Sequence, residues 1–112
     1  MYRATTPVFT FEFDVDPDAT FKRILAAFAQ NDNVIVTKEK EDMTFIPAEN
    51  DDGETIYTAT VRFTQQEANK FNTKKGTKVT VHLRVLTYDD EAIAFDKQTM
   101  QLKDVLDDRV LV

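Results

Sequence analysis

Residues 18–33 read DATFKRILAAFAQNDN, and two ways of folding this stretch lead to different proteins. As a helix capped by Asp18, it places Phe21, Ile24, Leu25 and Phe28 on one face, and Ala26, Ala27 and Ala29 supply helix propensity. Read at period two, Ile24, Ala26 and Phe28 face one way along a strand that ends at Gln30. Local propensity favours the helix, but such preferences are a fraction of a kcal/mol per residue and give way to tertiary context. The residues that follow pull the other way. Asn31-Asp32-Asn33 tolerates positive φ and suits a hairpin turn, and Val34-Ile35-Val36-Thr37 is a β-branched strand. A tight hairpin on one side of a strand asks for a strand on the other. The stretch taken alone leaves both foldings open.

Outward from it the pattern is plainer. Phe9, Phe11, Phe13 and Val15 alternate with Thr10, Glu12 and Asp14, which predicts a strand with one aromatic face, and Pro7 fits at its start. Met43 to Ile46 predicts a short strand closed by Pro47, and Asp52-Gly53 is a turn signal. Tyr57, Ala59, Val61 and Phe63 alternate in a second strong strand. It runs into Thr64-Gln65-Gln66-Glu67, which has capping-box spacing, so one short helical turn is expected near residues 65–71 with Ala68 and Phe71 inward. Val79, Val81, Leu83 and Val85 alternate with Thr80, His82 and Arg84 in a third strong strand, and Ala92 to Leu102 predicts a longer, less regular one. Some six strands at short spacing, each with one inward face, predict an all-β domain of two antiparallel sheets packed face to face.

Length and composition bound the rest. A chain of 112 residues is the common size of a single domain, with no linker-like stretch or internal repeat, so 1–112 is read as one β-sandwich with 105–112 as a possible docking tail. The absence of cysteine removes disulfides, thiolate metal sites and cysteine nucleophiles together. A formal charge of −6 is the wrong sign for a phosphate-binding surface, so neither nucleic acid nor an anionic membrane is an expected partner. No signal peptide is visible at Met1 to Thr10, and the longest apolar run, Ile24 to Ala29, is far below the roughly 20 residues that span a bilayer.

The constellations that carry chemistry fail one by one. Asp14, Asp16 and Asp18 have the spacing of the first ligands of an EF-hand, but Ala19 and Leu25 stand where that loop needs Gly and Glu. A calcium site in the sandwich-end loops, drawing on Asp51, Asp52, Asp89 or Asp90, is the weaker version, since acidic loops usually remain solvated. His82 is the single histidine, on the polar phase of a strand, with no sequence-level nucleophile or orienting group. Gly53 and Gly76 stand alone, so no phosphate loop exists. The chain is therefore read as no enzyme, with no cofactor, metal or catalytic residue. One feature points to contact with protein. Val105, Leu106, Val110, Leu111 and Val112 concentrate apolar surface at a chain end, where water normally frays the chain. That end docks either on its own sandwich or on a neighbour, and because net charge opposes indiscriminate clumping, a defined homo-oligomer is expected.

Several segments, read in order, resemble a family of small proteins from siphophage and prophage structural-gene regions of Gram-positive bacteria. They are Tyr2-Arg3-Ala4-Thr5-Thr6-Pro7 before a Phe/Thr strand, Phe28-Ala29-Gln30-Asn31 before a Val/Ile strand, Phe63-Thr64-Gln65-Gln66-Glu67 followed by Phe71, and Val81 to Leu86 before an acidic turn. The family typically has Gly where Ala4 stands. More distantly, the chain is similar to the N-terminal modules of phage baseplate upper proteins. The resemblance implies an immunoglobulin-like sandwich and a strand over Ile24 to Gln30. It also implies a virion structural or assembly role with virion proteins as partners, the chain residing in the bacterial host cytoplasm and then in the particle. The competing expectation is a calcium- or carbohydrate-binding sandwich of adhesin type, handicapped by the absence of Trp platforms.

Overall fold

A computed structural model describes residues 1–102 and 109–111, with the side chain of Lys75 left aside. Along the chain run β1 (Val8–Phe13), α1 (Pro17–Thr20), β2 (Phe21–Gln30), β3 (Asn33–Glu39) and β4 (Thr44–Glu49). They are followed by β5 (Thr55–Arg62), α2 (Gln65–Ala68), β6 (Lys78–Thr87), β7 (Ala92–Ala94) and β8 (Gln98–Gln101). Among the described residues, three strands form one antiparallel sheet in the order β1-β5-β4. Five form the other, in the order β3-β2-β6, with β7 and β8 sharing the far edge of β6. The two sheets make a sandwich-like fold.

The disputed stretch is a strand from Phe21 to Gln30, and helix formation is confined to the single turn Pro17–Thr20 directly before it. The cap is Asp16 rather than Asp18: its carboxylate accepts the N–H groups of Asp18 and Ala19 at 3.1 and 3.5 Å, and Pro17 occupies the first turn. Asp18 instead meets Lys40 Nζ at 3.2 Å. Strand wins over helix because β2 is the central ladder of the wide sheet, paired with β3 on one side and β6 on the other. Ile24, Ala26, Phe28 and Gln30 are buried at period two, a spacing that a helix would scatter around its axis. Asn31 and Asp32 form the two-residue turn to β3 with φ of 51° and 63°, as their tolerance of the left-handed region allows.

Three further expectations are corrected. Pro47 does not close its strand. Asn50 N–H donates to Glu54 C=O, which sets the alternation of the β4–β5 ladder and turns the nitrogen of Pro47 to the open edge, where no donor is required. Ala92 to Leu102 is two short strands, because Phe95 N–H still donates to Leu83 C=O at 2.9 Å but the register on β6 then slips by one residue across Asp96 and Lys97. The helical turn near 65–71 exists as α2 but is not alone, since α1 and two 3-10 turns (Lys40–Asp42 and Thr73–Lys75) accompany it.

The core lies where the sheets face each other. Phe9 reaches from β1 to within 4.8 Å, centroid to centroid, of both Phe28 and Phe63, and Phe28 and Phe63 meet edge to face at 4.6 Å. Phe71 stacks on Phe63 from beyond α2 at 6.0 Å. The inward residues of β6, Val79 to Val85, complete this layer and are all buried.

Candidate interaction surface

The end of the sandwich that carries the 63–77 connection is built from side chains that stand in for backbone. Gln30 is the one buried polar residue among those described, and its side chain bonds to that connection through both its donor and its acceptor atoms. Its Nε2 donates to Asn72 C=O (2.5 Å) and Gly76 C=O (2.8 Å), and its Oε1 accepts Asn72 N–H (3.0 Å). At α2 both halves of the capping box form: Thr64 Oγ1 accepts Glu67 N–H at 3.1 Å, and the Glu67 carboxylate accepts Thr64 N–H at 2.9 Å. Lys38 also donates to Glu67 at 2.9 Å, over the ring of Phe63. Burial of Glu67 acts to raise its pKa. The bonds from Thr64 and the charge and bond of Lys38 outweigh it, and hold the carboxyl below its ordinary range.

This rigid turn presents Gln65 to the chain end. Gln65 Nε2 donates to Leu111 C=O at 2.8 Å and Leu111 N–H donates to Gln65 Oε1 at 2.6 Å, as a neighbouring strand would. Val110 is half-buried near Thr6, Arg62 and Thr64, while the Leu111 side chain remains 77% exposed. Of the expected contact residues, Val110 and Leu111 thus touch their own sandwich, and Val105, Leu106 and Val112 lie outside the described residues. The sequence offered no sign of the Gln65 clamp beyond an amide in the first turn of α2, nor of Gln30 beyond its place at the end of the disputed stretch.

The acidic end has other business. Asp16 caps α1, Asp18 faces Lys40, and Lys22 approaches Asp90 at 3.7 Å. Asn50 organises the β4–β5 turn by accepting Asp52 and Glu54 N–H groups at 3.0 and 2.9 Å. Among the described residues no three His, Asp or Glu side chains group closely enough to hold a metal ion. His82 sits half-buried on the outer face of the wide sheet, opposite Ala27.

The edges differ in how they are guarded. Pro47 interrupts the donor row of β4, a register shift at Phe28/Ala29 bends the β2–β3 pairing, and the β7–β8 margin is broken at Asp96 and Lys97. The six residues of β1 carry no proline, no lysine and no register shift. Beside that edge, among the described residues, the narrow sheet covers β6 but leaves Ile93 and Phe95, at the far margin of the wide one, partly exposed. Phe11 and Phe13 of β1 with Val81 and Leu83 of β6 line a trough of ≈ 160 Å³, closed by Phe95, which is 40% exposed. It continues past Phe13 to Val15 and Ile56. Such a place, with Glu12, Asp96 and Gln98 also lining it, offers apolar surface and backbone hydrogen bonds, the two things that hold protein segments.

Compared with protein-family models, curated proteins and solved structures, the chain gives no significant match.

Proposed function

We propose that this chain is a non-catalytic structural or assembly module of a phage or prophage virion, of tail or baseplate type, working through protein–protein contacts. The observation that carries the contact part of this reading is the combination of an unguarded strand edge with large apolar side chains left in solvent: Val8, Ile46, Ile93, Phe95 and Leu111. The virion part comes from the ordered resemblance of Tyr2 to Pro7, Phe28 to Asn31, Phe63 to Phe71 and Val81 to Leu86 to phage structural-region proteins. Within that reading the sandwich is of immunoglobulin type. The order β1-β5-β4 against β3-β2-β6-β7 supports this, because it follows strands B-E-D against C′-C-F-G of that plan, with no strand A beside β1 among the described residues. Its partners are other virion proteins and further copies of the chain, met in the host cytoplasm and retained in the particle. Mass spectrometry of particles purified from an induced lysogen carrying the gene tests the reading. Peptides of this chain at constant stoichiometry to known virion proteins are expected. Their absence from particles and from assembly intermediates would overturn it.

A further inference from the structure

Among the described residues, the β1 edge is hydrogen-bonding capacity laid beside a trough whose apolar rim, Phe11 and Phe95, is partly exposed above the buried Val81 and Leu83. Phe63 N–H donates to Pro7 C=O at 3.0 Å, and this fixes the alternation of the β1–β5 ladder. The backbone groups of Phe9, Phe11 and Phe13 point to β5. Those of Val8, Thr10 and Glu12 point away, to the open side. The trough lies on that same side, with its floor on β6 and its wall at Phe95.

We propose that this edge receives one extended strand from another protein, antiparallel or parallel to β1, with apolar side chains at alternate positions and basic ones between them. The strand bonds to Val8, Thr10 and Glu12 and sets its apolar side chains against Phe11, Val81, Leu83 and Phe95, in the place that strand A holds in the immunoglobulin plan. Charge selects the basic alternation. Glu12 alternates with the inward Phe11 and Phe13 and so lies on the outer face that the basic side chains of the added strand would share, with Asp14 next along the chain. The chain's own end is the wrong complement, since residues 103–112 carry Asp104, Asp107 and Asp108 against Lys103 and Arg109. A second copy pairing β1 to β1 is disfavoured by shape. The wide sheet overhangs β1 on this side, and a two-fold axis through the paired strands would drive the two overhangs into each other. A single strand fits where a whole sandwich does not.

The proposal rests on the contact reading above and not on virion membership, so a negative result here leaves the particle test standing, and the reverse. The experiment uses the full chain, isotopically labelled, and three nine-residue synthetic peptides: alternating Val and Lys, the same with its central Val replaced by Pro, and alternating Val and Glu. The Val/Lys peptide is expected to slow amide exchange at Val8, Thr10 and Glu12, and to bind at least about tenfold more tightly than either control. Thr10→Pro removes an open-edge donor while leaving the bonds to β5, so it should abolish that protection with the fold retained by circular dichroism. Where Thr10→Pro fails to fold, Phe95→Ser, in the exposed trough wall, serves instead and should weaken binding similarly. Protection at β3 or β4, no protection at all, or equal binding by the proline peptide would overturn the proposal. So would protection of the same three amides in the free protein that is concentration-dependent, or that disappears on truncation after Leu102, because a second copy or the chain's own end would then hold the edge.

Discussion

β1 and β6 have the same sequence pattern and different fates. Phe9, Phe11 and Phe13 alternate as cleanly as Val79, Val81, Leu83 and Val85, yet every inward residue of β6 is buried, while Phe9 and Phe11 are only half-buried. The difference is position. β6 lies inside the wide sheet, with β2 on one side and β7 and β8 on the other, whereas β1 is the margin of a sheet too narrow to cover the far margin of its neighbour. Alternation says which face of a strand turns inward. It does not say how much protein waits there.

The sharpest test of this contrast removes the same ring from both environments. Phe28→Ala, in the centre of the wide sheet and fully buried, is expected to cost about 3–5 kcal/mol in denaturant unfolding. Phe11→Ala should cost at least about 1 kcal/mol less, because part of its surface is already in water. Equal losses would break the comparison and mean that β1 is as enclosed as β2.

Gln30→Leu asks whether a buried polar side chain at the end of β2 counts as much as an apolar one. It keeps the size of the side chain but strands Asn72 N–H and two carbonyls, so a loss of about 1–3 kcal/mol is expected. A neutral or stabilising result would show that the 72–76 connection finds other partners. Thr64→Ala should cost about 1 kcal/mol through loss of the α2 cap, and should loosen the docking of Leu111 on Gln65, read as faster exchange of the Leu111 amide.

The smallest effect is seen only in acid. The folded-state pKa of Glu67 lies below the ordinary 4.5, so its contribution is complete above that value and is lost as pH falls through the folded value. Wild type should exceed Glu67→Gln in stability at neutral pH, and the gap should close on acidification. A gap that widened in acid would reverse the sign of the Lys38–Glu67 interaction.

Much of the fold is legible in the sequence because it depends on neighbours a few residues apart. The alternation of β1, β5 and β6, the positive-φ turn at Asn31 and Asp32, and the reciprocal cap of Thr64 and Glu67 are all local. So is the choice of an all-β chain with a short helical turn at Gln65 to Ala68. What tertiary structure decided is everything that depends on which strand lies beside which. It made Phe21 to Gln30 a strand against its own alanines, because two flanking ladders outweigh a helix propensity of tenths of a kcal/mol per residue. It passed the cap from Asp18 to Asp16, turned Pro47 to an edge where its missing donor costs nothing, and split residues 92–102 at Asp96 and Lys97. It also matched a narrow sheet to a wide one and so left β1 open beside a trough. No local pattern encodes that mismatch, because burial is a property of what packs across from a residue and not of the residues on either side of it.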